Sequence, residues 1–96
     1  MTLIDEIKAN RENIFNIAKQ YGVYDIRLVG SVARGEDDEK SDIDFLVNIE
    51  SNRSLIDYMK FKNKIENIFN RKVDILCESA LKDRFRSKIK NDIVFL

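Results

Sequence analysis

Histidine is absent from this chain of 96 residues, which also contains no proline or tryptophan and only one cysteine. Without histidine, the chain cannot form a Ser-His-Asp or Cys-His catalytic system or an imidazole metal site. The lone Cys77 cannot form an internal disulfide, so we expect a small buried thiol in a reducing compartment. The chemistry that remains is that of carboxylates, whose oxygens prefer Mg2+, Mn2+ or Ca2+ over zinc or copper.

Targeting and membrane segments are also missing from the pattern. The N-terminus is charged within a few residues and lacks the apolar core of a signal peptide. No apolar run approaches the roughly 20 residues that span a bilayer. We therefore predict a cytoplasmic protein that has no membrane partner.

The chain has little net charge, because 17 basic residues balance 17 acidic ones. Proteins that work on nucleic acid usually carry a basic excess, since phosphate neutralisation supplies most of their non-specific affinity. Nucleic acid is therefore not expected as the direct substrate. The content of 44 % hydrophobic and 35 % charged residues is typical of a folded domain. We expect one domain over residues 1–96, with no room for a second, acceptor-binding domain.

The hydrophobic pattern predicts alternating helices and strands, in the order αβαβαβαβ. The predicted helices are Leu3–Tyr21, a short helix that Ser31 caps and that ends by Gly35, a long helix capped by Ser54, and a helix capped by Ser79. The predicted strands are Asp25–Val29, Asp42–Ile49, Lys72–Cys77 and Ile93–Leu96. We infer an α/β (α+β) fold with a small mixed sheet of about four strands covered by helices.

Two apolar segments bear on packing and assembly. In the long helix capped by Ser54, the residues predicted to face the core are Leu55, Tyr58, Met59, Ile65, Ile68 and Phe69. The terminal segment Ile93–Leu96 is either an edge of the internal sheet or a strand for self-association. A homo-oligomer therefore stays open as an assembly state.

Three aspartates lie on predicted strands. Side chains alternate along a strand, so Asp42 and Asp44 are expected to project together, away from Ile43. Like-charged neighbours raise each other's pKa, and a divalent cation relieves that repulsion. Asp74 is flanked by apolar residues, and if its strand lies beside that of Asp44, all three form the ligand set of a two-metal phosphoryl or nucleotidyl transfer site. The alternatives are a strand-start cap for Asp42 and a solvent-facing position for Asp74.

A possible phosphate-binding turn precedes these carboxylates. Gly30 lets the backbone approach a ligand closely, and the helix expected at Ser31 presents unpaired N–H groups to phosphate oxygens. Taken alone, this pattern equally describes an ordinary turn with a helix cap. Arg34 lies one turn further on and either reaches a phosphate or forms a surface ion pair with the acidic run at 36–39.

These two segments together resemble a known signature. Gly30-Ser31-Val32-Ala33-Arg34-Gly35 followed by Ser41-Asp42-Ile43-Asp44 is similar to the Gly-Ser, ten-residue gap, Asp-x-Asp pattern of the DNA polymerase beta-like nucleotidyltransferase superfamily. Within it, the short length and the Ala-Arg-Gly and Ser-Asp-Ile-Asp segments resemble minimal nucleotidyltransferase (MNT) domains. Such domains are found as antitoxins beside HEPN-domain toxins.

The resemblance implies a nucleotidyltransferase fold and the transfer of AMP from ATP to a hydroxyl, a tyrosine of a partner HEPN toxin. It implies that Asp42 and Asp44 bind two Mg2+ ions. Asp74 binds the catalytic ion and helps activate the attacking hydroxyl, while Gly30 and Ser31 hold the β and γ phosphates.

Two other functions remain open on the sequence. The chain is a non-catalytic antitoxin that neutralises a toxin by covering it, or it transfers a nucleotide to a small molecule. Relatives of the second kind, which modify aminoglycosides, carry an additional helical domain. Replacing Asp42 and Asp44 by Asn distinguishes a transferase, which loses neutralisation, from a simple cover, which keeps it.

Overall fold

The structure, a computed structural model, describes residues 2–81 and 92–96. The helices are α1 (Leu3–Ala9), α2 (Arg11–Gln20), α3 (Gly30–Arg34) and α4 (Leu55–Phe69), followed later by a 3-10 turn at Glu78–Ala80. The strands are β1 (Val23–Val29), β2 (Ile43–Ile49), β3 (Val73–Cys77) and β4 (Val94–Phe95). The predicted fold class, a mixed four-stranded sheet with helices, is confirmed.

The sheet has the strand order β3-β2-β1-β4. β1 pairs with β2 and with β4 in antiparallel orientation. β2 pairs with β3 in parallel, and α4 forms the connection between them. Because β4 pairs with β1 inside this sheet, its residues form a sheet edge, as one of the two interpretations of the terminal segment predicted.

The core lies on the helical side of the sheet. Along β2, Ile43, Phe45 and Val47 are fully buried and pack in one cluster with residues of α2 and α4, whereas Asp44 and Asn48 are only partly buried. This alternation follows from the two-residue period of a strand. The side of β2 opposite to the core therefore carries its polar residues, including Asp44.

The predicted first helix is wrong in one respect, because it is two helices. The break falls at Asn10, whose side-chain amide donates to the carbonyl of Glu6 at 2.9 Å. Its backbone N–H also bonds to the carbonyls of Glu6 and Ile7. An asparagine side chain that competes for helix carbonyls in this way favours a helix end over helix continuation.

Several predicted boundaries also shift. β1 begins at Val23, two residues earlier than predicted, and includes a register irregularity between Tyr24 and Arg27, where Asp25 has a φ of 52°. β2 begins at Ile43, so Asp42 precedes the strand. Within 2–81 and 92–96, the terminal strand covers only two residues.

The prediction that Ser79 caps a helix is wrong at its start. The segment Glu78–Ala80 is a 3-10 turn that begins after Cys77. The remainder of the predicted helix falls at 82–91, outside the described residues. Cys77 is only partly buried, not fully buried as expected, and that burial raises the pKa of its thiol. None of the helices found within residues 2–81 is long and apolar enough to span a membrane.

The predicted apolar stripe of α4 is partly wrong. Leu55 and Met59 are 71 % and 52 % exposed, whereas Phe61, which was not predicted to be buried, is fully buried. Phe61, Ile65 and Phe69 follow one another at intervals of four residues and define the face that packs on the sheet. At 100° per residue, Met59 lies on the opposite side of the helix from Phe61. Tyr58 lies near the buried face and donates its hydroxyl to the Ile75 carbonyl at 3.3 Å.

We expect Phe61→Ala to lower the free energy of unfolding by about 3 to 5 kcal/mol, because it leaves a cavity in a closed core. Met59→Ala, on the exposed side of the same helix, is the matched control and should change it by at most about 0.5 kcal/mol. Urea unfolding followed by circular dichroism measures both. Equal losses for the two variants would contradict the helix orientation described above.

Candidate active site

Asp44 and Asp74 lie side by side on the parallel strands β2 and β3. They are direct register partners. Partial burial, together with the charges of Asp74 and Asp42, raises the pKa of Asp44 to about 6, against a smaller lowering by Arg34. The structure therefore brings together two of the three aspartates that the sequence predicts as metal ligands.

Asp42 lies beside this pair without joining it in a closed cluster. Its charge contributes to the raised pKa of Asp44, while its Oδ2 atom lies 3.8 Å from Nζ of Lys72. Among residues 2–81 and 92–96, no three acidic or sulfur-containing side chains form a ready-made metal cluster. The pair with Lys72 is an exposed one, and such pairs hold their side chains only weakly. The repulsion that Asp74 and Asp42 exert on Asp44 is of the kind that a divalent cation relieves.

Gly30 forms the wall of the site next to Asp44. It has a φ of +76°, a conformation that favours glycine, and a Cβ built there would overlap Oδ2 of Asp44. The two residues meet because Val29, at the end of β1, is the register partner of Asp44. Glycine at this position therefore lets the turn approach a carboxylate, in addition to any approach to a ligand.

The other predicted binding residues lie on α3, which follows this turn. The prediction that Ser31 caps the helix is wrong, since Val29 is the N-cap and Ser31 is the second helical residue. Arg34 bonds Glu36 through Nε at 3.0 Å, and its Nη1 lies 3.8 Å from Oδ2 of Asp92. The bond to Glu36 raises the pKa of Arg34. Of its two predicted roles, the ion pair is therefore the one formed in this structure.

Two cationic residues at the site were not anticipated from the sequence. Lys72 faces Asp42, and Arg71 donates to carbonyls in the loop that leads to Asp42. The only sequence signal is that Arg71 and Lys72 directly precede the strand that carries Asp74. Their contacts depend on the pairing of β2 with β3, which local sequence patterns do not fix.

A cavity of about 540 Å³ lies away from these carboxylates. It is bordered by the start of α4 and the end of β3, and its lining includes Leu55, Tyr58 and Cys77 but none of the predicted site residues. The carboxylates instead lie at the start of β2 and β3, beside α3. This cavity is therefore separate from the carboxylates and from the turn at Gly30.

A parallel strand pair carrying two carboxylates, bordered by a glycine turn and a short helix, is the arrangement expected of a nucleotidyltransferase. The chain belongs to the nucleotidyltransferase domain family, whose model matches residues 11–96. It is a nucleotidyltransferase enzyme, and protein adenylyltransferases are among its relatives.

Two of these relatives match most of the chain. A Methanocaldococcus jannaschii protein named "putative protein adenylyltransferase" is 34 % identical over 91 residues, which are 95 % of this chain and 95 % of that protein. The protein adenylyltransferase MntA of Thermococcus cleftensis is 30 % identical over 80 residues, covering 83 % of this chain and 81 % of MntA. Both matches extend over more than four fifths of this chain and of the relative.

Solved structures agree with this assignment. One described as a "putative minimal nucleotidyltransferase" superposes with a TM-score of 0.86 at 35 % identity and covers 100 % of this chain and 97 % of its own. A crystal structure of a toxin–antitoxin with AMP-PNP superposes with a TM-score of 0.73 at 18 % identity, covering 90 % and 71 % of the two chains. The second likeness supports the fold.

The close approach of Gly30 to Asp44 can be tested with two alanine variants. Gly30→Ala and Gly35→Ala both place a side chain at a positive φ, which costs about 1 to 2 kcal/mol. The added Cβ meets nothing within 4 Å at Gly35 but overlaps Asp44 at Gly30. Urea unfolding should show the larger loss in the free energy of unfolding for Gly30→Ala. Added Mg2+ should raise the Tm of the wild type and of Gly35→Ala but not that of Gly30→Ala. The geometry is contradicted if both variants behave alike.

The repulsion at Asp44 predicts a variant that is more stable than the wild type. In EDTA at pH 8, Asp44→Asn should raise the free energy of unfolding by about 1 kcal/mol, after allowance for solvent screening at this partly exposed group. The sign follows from the raised pKa of about 6, which disfavours charged Asp44 in the folded state. The gain should be complete above about pH 6 and vanish below about pH 4, where the aspartate is protonated in both states.

The matching measurement is urea unfolding at pH 4 and pH 8, with and without Mg2+. Added Mg2+ should stabilise the wild type more than Asp44→Asn, since the variant lacks the charge that the cation neutralises. If Asp44→Asn is less stable than the wild type at pH 8 in EDTA, the charged form of Asp44 is not disfavoured in the folded state.

Proposed function

We propose that this chain is a Mg2+-dependent protein adenylyltransferase that transfers AMP from ATP to a tyrosine hydroxyl of a HEPN-domain toxin. It thereby acts as the antitoxin of a toxin–antitoxin pair. The observation that carries the proposal is the Asp44–Asp74 pair beside the Gly30 turn. The activity named for MntA of Thermococcus cleftensis supports the AMP transfer.

Asp42, Asp44 and Asp74 are proposed to hold two Mg2+ ions, which supply charge neutralisation and polarise the α-phosphate when bound. The raised pKa of Asp44 supports this assignment, because a cation is the group that would offset its repulsion. Asp42 serves as a ligand once its exposed carboxylate turns away from Lys72.

The residues of the turn are proposed to bind the triphosphate. Gly30 and Ser31 begin α3, where backbone N–H groups have no helical partner and attract phosphate oxygens. Arg34 would add a cation at the other end of α3 by exchanging its exposed bond with Glu36 for a phosphate. The helix N–H groups and Arg34 thus suit an anionic ligand such as a triphosphate.

The transfer reaction follows from this placement. The acceptor oxygen forms a bond to the α-phosphorus, and the bond from that phosphorus to the bridging oxygen of the β-phosphate breaks, so that pyrophosphate leaves with the electron pair. Asp74 is proposed to accept the proton that the hydroxyl group loses as the new bond to phosphorus forms. The protein contributes mainly position and electric field.

The acceptor is proposed to come from a partner protein. Residues 1–96 are proposed to form a single minimal nucleotidyltransferase domain that works in the cytoplasm, without a membrane partner or nucleic acid as direct substrate. Solved toxin–antitoxin structures share the fold, which supports a toxin as the partner. Self-association as a homo-oligomer stays compatible with this proposal.

The proposal is tested with labelled ATP, Mg2+ and a HEPN-type toxin encoded beside this gene. The wild type should transfer label to the toxin and abolish its toxicity in cells. Asp42→Asn and Asp44→Asn should each lower the transfer rate by about 100-fold or more. Glu12→Gln makes the same change of acid to amide at an exposed position on α2. It is the control and should transfer AMP at the wild-type rate.

The acceptor is then identified by mass spectrometry of the labelled toxin. A tyrosine carrying AMP supports the proposal, and its replacement by phenylalanine should prevent labelling. If the toxin is neutralised without label, and equally well by Asp42→Asn and Asp44→Asn, the chain acts on it by binding alone.

A further inference from the structure

Arg71 connects the two segments that carry the proposed metal ligands. Its Nη1 atom donates to the carbonyl oxygens of Asp38 and Ser41, at 3.0 and 2.8 Å. Asp38 and Ser41 belong to the loop between α3 and β2, and Arg71 lies three residues before Asp74. A single guanidinium nitrogen therefore ties the approach to Asp42 to the approach to Asp74.

The contact with Ser41 acts on Asp42 through the backbone. The carbonyl of Ser41 belongs to the planar peptide group that also contains the nitrogen of Asp42. On the other side of Asp42, the N–H of Ile43 donates to the carbonyl of Lys72 at 3.1 Å. The backbone around Asp42 is thus held on both sides by the consecutive residues Arg71 and Lys72.

The loop itself is folded so that these carbonyls are available. The carboxylate of Asp38 accepts from the N–H of Lys40 at 2.8 Å and from the hydroxyl of Ser41 at 3.1 Å. The hydroxyl of Ser41 in turn accepts from the N–H of Asp38 at 2.9 Å. The turn satisfies these N–H and O–H donors internally, and Arg71 supplies a donor to two of its carbonyls.

We propose that Arg71 is a positioning residue that fixes the backbone of Asp42 relative to Asp74, so that both carboxylates reach one cation. The inference rests on the proposed function, since it takes Asp42 and Asp74 as ligands. Asp42 needs such support because it precedes β2 and is not held by the strand ladder. Groups that orient metal ligands typically contribute tenfold to a hundredfold in metal affinity.

Charge and position predict opposite effects when Arg71 is removed. Loss of a positive charge whose side chain bonds the loop before Asp42 should strengthen the binding of a divalent cation through electrostatics alone. Loss of the two hydrogen bonds should weaken it, because Asp42 is then free to leave the geometry that binds the metal. The direction of the change in metal affinity therefore separates positioning from a purely electrostatic role.

The test is Mn2+ binding to the purified chain, followed by the loss of the free Mn2+ signal in electron paramagnetic resonance. Arg71→Ala is expected to weaken Mn2+ binding about tenfold. Arg71→Lys keeps the charge and a donor and should lie between Arg71→Ala and the wild type. Arg11→Ala removes the same charge at an exposed position on α2 and should bind Mn2+ as the wild type does.

Thermal unfolding of each variant shows whether it is folded at the temperature of the titration. If Arg71→Ala is unfolded, the comparison of Arg71→Lys with the wild type decides, and binding weaker than wild type is the expected result. The inference is overturned if Arg71→Ala binds Mn2+ as tightly as the wild type or more tightly. If Arg71→Ala is unfolded, the inference is overturned when Arg71→Lys binds Mn2+ as the wild type does.

The same titration on Asp42→Asn separates this inference from the proposed function. If Asp42→Asn and Asp44→Asn bind Mn2+ and transfer AMP like the wild type, the assignment of the site itself fails. If those variants lose both properties while Arg71→Ala keeps its Mn2+ affinity, only the positioning role of Arg71 fails.

Discussion

The partial burial of the Asp44 carboxylate beside Asp74 is the constraint around which this structure is arranged. Two carboxylates occupy partner positions on neighbouring parallel strands, and partial burial leaves one of them with a pKa of about 6. Repulsion of this kind lowers the stability of the empty site, so the rest of the fold must hold it in place. The buried side chains on the opposite side of β2 provide that stability.

The other elements of the site follow from this pair. Gly30 has no side chain because Asp44 occupies the space that a Cβ would need. α3 begins at the same point, which places helix N–H groups next to the carboxylates. An anion-binding turn and a cation-binding pair thus lie side by side, which suits a nucleotide whose phosphates carry a metal. Membership of the nucleotidyltransferase domain family agrees with that chemistry.

Local sequence patterns predicted the sheet and its helices, because strand alternation and helix periodicity act over short distances. The convergence of Asp44 with Asp74 was predicted on the condition that their strands are neighbours, which the pairing of β2 with β3 fulfils. Local patterns failed where a long-range or side-chain contact decides. A bond from the Asn10 amide ends α1, the position of Phe61 sets the orientation of α4, and the loop contacts of Arg71 require β2 and β3 to be paired already.

The parallel pairing of β2 with β3 has a consequence for the newly made protein. An antiparallel hairpin would bring its carboxylates together after a short turn, but here the whole of α4 separates Asp44 from Asp74. A chain still emerging from the ribosome therefore has no complete site until β3 has left the exit tunnel and docked. Any reaction that needs both carboxylates is therefore closed to a chain that has been synthesised only as far as α4.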